Sequence, residues 1–87
     1  MSNKVIFAKE IVDKNIEILN LIERKKNNFG KYFSTFNANF ENEQVDFIVG
    51  GMLDKEINQH LVDLPMAIKI IKKSKDGHDY YVAGKVV

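Results

Sequence analysis

The sequence predicts an α+β domain, with two or three helices packed on a small antiparallel sheet dominated by a C-terminal β-hairpin. Apolar residues recur at three- and four-residue steps through most of the first 64 positions, which is the spacing of one helix face. After Pro65, two runs of β-branched and aromatic residues flank an Asp-Gly pair. Asp-Gly between such runs is a strong hairpin signal, because a type I′ turn needs positive φ at both central residues.

Length and composition predict one globular domain that spans residues 1–87. The chain is 45% hydrophobic and 29% charged, and it contains no internal repeat or linker rich in Gly, Ser or Pro. The absence of cysteine excludes a disulfide framework, a thiolate metal site and a cysteine nucleophile. No apolar run reaches the roughly 18 residues that span a bilayer, and the first residues begin no signal-peptide pattern. We therefore expect a cytoplasmic protein that does not contact a membrane.

The first predicted helix runs from Val5 to Ile22, where apolar residues recur at three- and four-residue steps and charged residues fall on the opposite side. The basic residues 24–26 follow at the position where cations complement the negative end of a helix dipole. Asn27, Asn28 and Gly30 are residue types that a helix exit prefers. Residues 4–8 also suit a short buried strand, so their structure stays open between helix and strand.

Aromatic residues form the second helical pattern, with steps of three, one, three and four. The residues are Phe29, Tyr32, Phe33, Phe36 and Phe40. A strand with all its rings on one face would place them at alternate positions, so this spacing favours a helix.

A third helix is predicted from about residue 43 to 63, with Asn42 as its N-cap. Gly50 and Gly51 oppose this prediction, because each glycine in a helix interior costs about 1 kcal/mol relative to alanine. The alternative is a strand over residues 45–49, a turn at the two glycines and a shorter helix that starts at Met52. Whether the glycines interrupt the helix stays open at this point.

The C-terminal hairpin is predicted to pair residues 66–73 with residues 78–87, around a turn at residues 75–78. A lone two-stranded hairpin is marginal in water. It must therefore pack on the helices, recruit a third strand from residues 4–8, or pair with a second copy of the chain.

Large apolar side chains are abundant for so small a domain, with six phenylalanines, three tyrosines and ten isoleucines. Apolar surface that a core cannot absorb usually marks an interface. We therefore expect a non-enzymatic binding protein that occupies a partner macromolecule and forms a homo-oligomer, such as a phage accessory or inhibitor protein. The predicted anchors are Phe36, Phe40, Ile71 and Val82.

The alternative hypothesis is a nucleic-acid or nucleotide binder that uses the basic C-terminal hairpin. Residues 65–87 contain five lysines and two aspartates, whereas the preceding residues are net acidic. Cations for phosphates and rings for base stacking are what such a site requires. The candidate residues are Arg24, Lys25, Lys26, Lys69, Lys72, Lys73, Tyr80 and Tyr81. The competing interpretation is that the lysines protect an edge strand and the tyrosines cap a small core.

The sequence predicts no catalytic residues, no metal and no cofactor. None of its three serines lies in a G-x-S-x-G context. Glu56 with His60, and the turn residues Asp76, His78 and Asp79, each fall short of a convergent ligand set for a tight metal site.

Overall fold

The computed structural model describes residues 4–85 and shows a mostly β protein, with strands over 61% of those residues. The strands are β1 (Lys4–Phe7), β2 (Asn15–Lys26), β3 (Tyr32–Phe40), β4 (Glu43–Gly50), β5 (Met66–Lys75) and β6 (His78–Gly84). The single α-helix of the described chain, α1, is Gly51–Asn58, and short 3₁₀ turns cover Ala8–Glu10 and Leu61–Asp63. None of these described helices is long and apolar enough to cross a membrane.

The six strands form one curled sheet, a half-barrel, in the order β1-β4-β3-β2-β5-β6. β1 runs parallel to β4, and the other neighbouring strands are antiparallel. β2 pairs along most of its length with β3, and its first four residues also pair with β5. Two register shifts, after Ile18 and after Leu21, bend β2 and increase its twist. The order β5-β2-β3-β4 is a Greek key, in which the fourth strand returns beside the first.

The hydrophobic core lies on the inner face of this sheet. Alternate strand residues point inward, as Ile16 and Ile18 of β2 and Phe36 and Ala38 of β3 do. α1 packs against β6, β3 and β4, and Leu53 of α1 is buried in the same cluster. The helix therefore covers part of the inner face that the half-barrel leaves open.

The prediction of two or three helices on a small sheet is wrong. Residues 5–22 form the end of β1, a 3₁₀ turn and most of β2. The turn and the two register shifts in β2 interrupt the two-residue period, so the apolar residues of several short pieces fall at three- and four-residue steps. The strand alternative for residues 4–8 is confirmed for Lys4–Phe7, which is β1.

The aromatic helix and the long third helix are also wrong. β3 places Phe36 on the inner face and Phe33 on the outer face, while Phe29 lies in the β2–β3 loop. The alternative for residues 45–52 is confirmed in outline, because β4 ends at Gly50 and α1 begins at Gly51. Gly51 has a φ of 61°, which glycine adopts without strain.

The C-terminal hairpin is confirmed as β5 and β6, although it is one part of a larger sheet. Asp76 and Gly77 have φ values of 52° and 79°, as a type I′ turn requires. The hairpin joins the sheet through pairing of β5 with β2, and residues 4–7 lie at the opposite edge beside β4. Of the predicted run 78–87, residues 86–87 lie outside the described residues.

Phe36→Ala tests the placement of the aromatic residues. Phe36 is 0% exposed, so we expect the free energy of unfolding to fall by about 3–5 kcal/mol. Phe29→Ala is the matched control, since Phe29 is 88% exposed and its loss should change stability by about 0.5 kcal/mol or less. Chemical denaturation measures both variants, and equal losses would contradict the assignment of Phe36 to the core.

Candidate nucleic-acid interface

The end of β2 and the start of β3 project beyond the core as an arm, defined here as residues 22–32. Every residue from 22 to 32 is exposed. Asn27 shapes the connecting loop, since its Oδ1 accepts hydrogen bonds from the backbone N–H groups of Phe29 (2.9 Å) and Lys31 (3.0 Å). Gly30, with a φ of 80°, completes the turn. The residues predicted to end a helix therefore build a hairpin loop.

Strand alternation separates the basic residues of the arm onto two faces. Arg24 pairs with Ser34 and Lys26 pairs with Tyr32, so these residues share the face that continues the inner side of the sheet. Lys25 lies on the opposite face, where its Nζ is 2.7 Å from a carboxylate oxygen of Glu23. The inner face of the arm therefore carries two cations beside an aromatic ring.

Tyr32 is the aromatic centre of this face. The Cζ atom of Arg24 lies 4.4 Å from the ring centroid, and the Nζ atom of Lys26 lies 5.7 Å from it. Both distances are within the range of cation–π attraction. Tyr32 nevertheless remains 47% exposed, so part of the residue is accessible to a ligand.

Asp54 of α1 anchors Arg24 from the interior. Asp54 is 2% exposed, and its carboxylate accepts hydrogen bonds from the Ser34 hydroxyl, from Asn58 Nδ2 (2.8 Å) and from Arg24 Nη2 (3.3 Å). A buried carboxylate needs such partners, because an unpaired buried charge is strongly unfavourable. The network therefore joins the arm to α1. No local sequence pattern predicts this network, since Asp54 and Arg24 are 30 positions apart in the chain.

Two surface depressions flank the start of α1. The first, of about 430 Å³, is lined by Arg24, Lys31, Tyr32, Gly51, Asp54 and Lys55. The second, of about 420 Å³, is lined by Met52, Lys75, Asp76, His78, Asp79 and Tyr80. Arg24, Lys31 and Lys55 border the first depression. Its one carboxylate, that of Asp54, already accepts hydrogen bonds from neighbouring side chains. The second mixes one lysine with two aspartates, so the first depression is the more attractive one for an anion.

The basic residues predicted on the C-terminal hairpin do not form one surface. Lys72 and Tyr81 are cross-strand partners on the inner side, whereas the pair of Lys73 and Tyr80 lies on the outer side with Lys69. Lys72 Nζ is 3.4 Å from Asp79 Oδ2. The pKa of the Asp79 carboxyl lies below its ordinary value, because the Ser74 hydroxyl and the Lys72 ammonium both donate hydrogen bonds to it and the ammonium also attracts its charge.

The four predicted interface anchors lie in different environments. Phe36 is fully enclosed in the core, so it is not available to a partner of the folded chain. Phe40 is half-buried against the core, and Ile71 and Val82 are half-buried cross-strand partners on the outer face. Among residues 4–85, the exposed large apolar side chains are Val5, Phe7, Ile22, Phe29, Tyr32, Met52, Leu61 and Val62.

The metal-ligand candidates do not converge on one point. Within residues 4–85, no group of three or more His, Asp or Glu side chains is close enough to hold an ion. His60 instead contacts Asp63, with 3.2 Å between Nδ1 and Oδ2.

Asp54→Ala tests the anchor between the arm and α1. The change leaves Ser34, Asn58 and Arg24 without their shared acceptor, so we expect the free energy of unfolding to fall by about 1.5–3 kcal/mol. The control is Glu23→Ala, which removes an exposed ion pair and should cost about 1 kcal/mol or less. Chemical denaturation of both proteins measures the difference. If Asp54→Ala is no more destabilising than Glu23→Ala, the anchor has no energetic role.

Comparisons with known proteins add no family to this description. No protein-family model matches the chain, and neither does any curated protein or solved structure. The function is therefore inferred from the geometry and charge of the described residues.

Proposed function

We propose that the protein binds single-stranded nucleic acid through the β2–β3 arm. The observation that carries this proposal is the combination of a basic arm with an exposed aromatic residue. Lys25 pairs with Glu23 on the opposite face and Arg24 pairs with Asp54, whereas Lys26 and Lys31 form no ion pair within 4.0 Å among the described residues. Non-specific single-strand binders combine a basic surface for the phosphates with aromatic side chains for the bases.

The exposed rings favour a single strand over a duplex. Phosphates attract cations in both forms of nucleic acid, so charge alone does not distinguish them. Stacking on a protein ring requires a base whose face is free, as in an unpaired strand. On the arm, Tyr32 and Phe29 are 47% and 88% exposed. Phosphate binding alone requires no exposed aromatic residue.

The strand plan supports the same proposal by analogy. β2 to β6 form a five-stranded, partly open Greek key, which is similar to the plan of OB-fold barrels. In that fold the loop between the first two strands and the loop between the last two border the oligonucleotide. The corresponding loops here are residues 27–31 and 76–77. The parallel strand β1 is an addition to that plan.

The main site proposed here is the arm, whereas the sequence predicted the C-terminal hairpin. On the hairpin, Asp79 neutralises Lys72, and Asp76 lies in the turn beside Lys75. On the arm, two cations, those of Arg24 and Lys26, lie over the Tyr32 ring. The hairpin lysines then contribute a secondary attraction to the phosphates.

Titration of fluorescently labelled DNA and RNA single strands of about 16 nucleotides tests this proposal by anisotropy. We expect binding at about 50 mM salt and a steep loss of affinity by about 200 mM. Lys31→Glu should weaken binding more than Lys9→Glu, which makes the same charge change outside the arm. Absence of binding at about 50 mM salt, or equal effects of the two variants, would contradict the proposal.

The second candidate function is protein binding or self-association through the outer face of β1. Val5 and Phe7 are 46% and 43% exposed on this edge strand, and Phe7 lies beside Ile48 of β4. An edge strand with exposed apolar side chains is a pairing surface unless something covers it. This candidate keeps the expectation of a homo-oligomer and proposes Val5 and Phe7 as its contact residues.

Light scattering over a concentration series tests this second candidate. We expect a dimer that dissociates on dilution, and Phe7→Ser should shift it towards monomer because it removes the ring from the surface. Leu61→Ser is the control, since Leu61 is also exposed but lies in the 3₁₀ turn after α1. A wild-type protein that stays monomeric at the highest concentration would exclude self-association.

A further inference from the structure

We infer that the first depression, at the base of the arm, binds one unpaired base stacked on Tyr32, with a neighbouring phosphate held by Lys31 and Lys55. This inference rests on the proposed function and assigns it a specific site. Its basis is a guanidinium that Asp54 anchors, a half-exposed tyrosine and two further cations that line one depression.

Arg24 is the only arginine in the chain, and the other twelve basic residues are lysines. It is also the residue whose guanidinium contacts both the buried Asp54 carboxylate and the Tyr32 ring. A guanidinium is planar and stacks on aromatic faces, whereas an ammonium is a compact point charge. Residue type and position therefore agree with a stacking role that lysine could not perform.

Asp54 holds Arg24 in place before any ligand arrives. Its carboxylate accepts hydrogen bonds from the Ser34 hydroxyl on β3 and from Asn58 on α1. Asn58 also donates a hydrogen bond to Ser34, so the three side chains orient one another. A side chain that is already ordered loses less conformational entropy on binding. The pair of Arg24 and Tyr32 is therefore a preorganised surface for a base, and Arg24 acts as its positioning residue.

Charge and size both suit a nucleotide unit. Lys31 and Lys55 line the depression from the arm and from α1, and neither forms an ion pair within 4.0 Å among the described residues. The depression is open to solvent and has a volume of about 430 Å³, so a base has room to lie against Tyr32 without being enclosed. A base against the ring would leave its phosphate near these two cations.

Stacking and phosphate contact have different signatures in a salt titration. Phosphate contacts release counterions and make the binding constant depend on salt, with a slope of about 0.7 per contact on a single strand. Stacking on a ring contributes affinity but releases no counterions. A change at Tyr32 should therefore alter affinity at every salt concentration by the same factor.

The test compares two probes of about 12 nucleotides, oligothymidylate and an abasic strand of the same length, with anisotropy as the readout. We expect the wild-type protein to bind oligothymidylate at least about 5-fold more tightly. Tyr32→Leu should reduce affinity for oligothymidylate by about 5- to 100-fold without changing the salt slope, and Tyr32→Phe should retain it. Arg24→Lys should weaken oligothymidylate binding although it keeps the charge. The two Tyr32 variants should bind the abasic strand as wild type does.

Each outcome supports or overturns the site. Equal wild-type affinity for the two probes overturns it without any variant, so a misfolded variant cannot decide the result. Tyr32→Leu with wild-type affinity, or with a reduced salt slope, also overturns it. In these cases the protein still binds nucleic acid, and only the base site fails. If the wild-type protein binds neither probe, the proposed function fails and the site fails with it.

Discussion

The structure depends on the burial of one face of α1 against the inner side of the curled sheet. Leu53 and Ile57 lie one turn apart on this face and are almost fully enclosed. Asp54 follows Leu53 directly, so burial of the helix takes its carboxylate out of water as well. The hydrogen bonds from Ser34, Asn58 and Arg24 compensate for that desolvation. The interaction that closes the core thus also determines where Arg24 lies.

The arm shows how one strand pair serves two purposes. The inner positions of β2 and β3 are apolar and belong to the core as far as the cross-strand pair of Leu21 and Phe36. Beyond that pair the same face continues with Arg24, Lys26 and Tyr32, where the chain is exposed. Regular pairing holds these side chains in register, so the sheet supplies the rigidity that a binding surface on a loop would lack. The change from apolar to basic residues marks the boundary between core and candidate interface.

The sequence revealed the fold only where a local signal was strong. Asp76-Gly77 identifies the C-terminal turn, because few other residue pairs adopt two positive φ angles. The strand at residues 45–49 was recognised as an alternative because two glycines follow it. β2 was missed, since its register shifts break the alternation that identifies a strand. β3 was missed because its inner and outer faces both carry rings, and their combined spacing imitates a helix.

The candidate site was only partly predictable for the same reason. Arg24, Lys25 and Lys26 were recognised as a basic cluster, but strand pairing decides which of them share a face with Tyr32. Asp54 contacts Arg24 across 30 positions of sequence, a distance that no local pattern spans. Phe36 was predicted to lie at an interface only because large apolar residues are abundant. Their number does not indicate which of these residues the core encloses.

Chemical-shift mapping by NMR, with isotope-labelled protein and an unlabelled oligothymidylate strand of about 12 nucleotides, tests whether the arm is the binding surface. We expect the largest shifts at Arg24, Lys31, Tyr32 and Lys55, with smaller changes at the turn of the β5–β6 hairpin. Val5 and Phe7 on the outer face of β1 should not shift. Shifts concentrated at β1, with none at the arm, would show that the arm does not bind the strand.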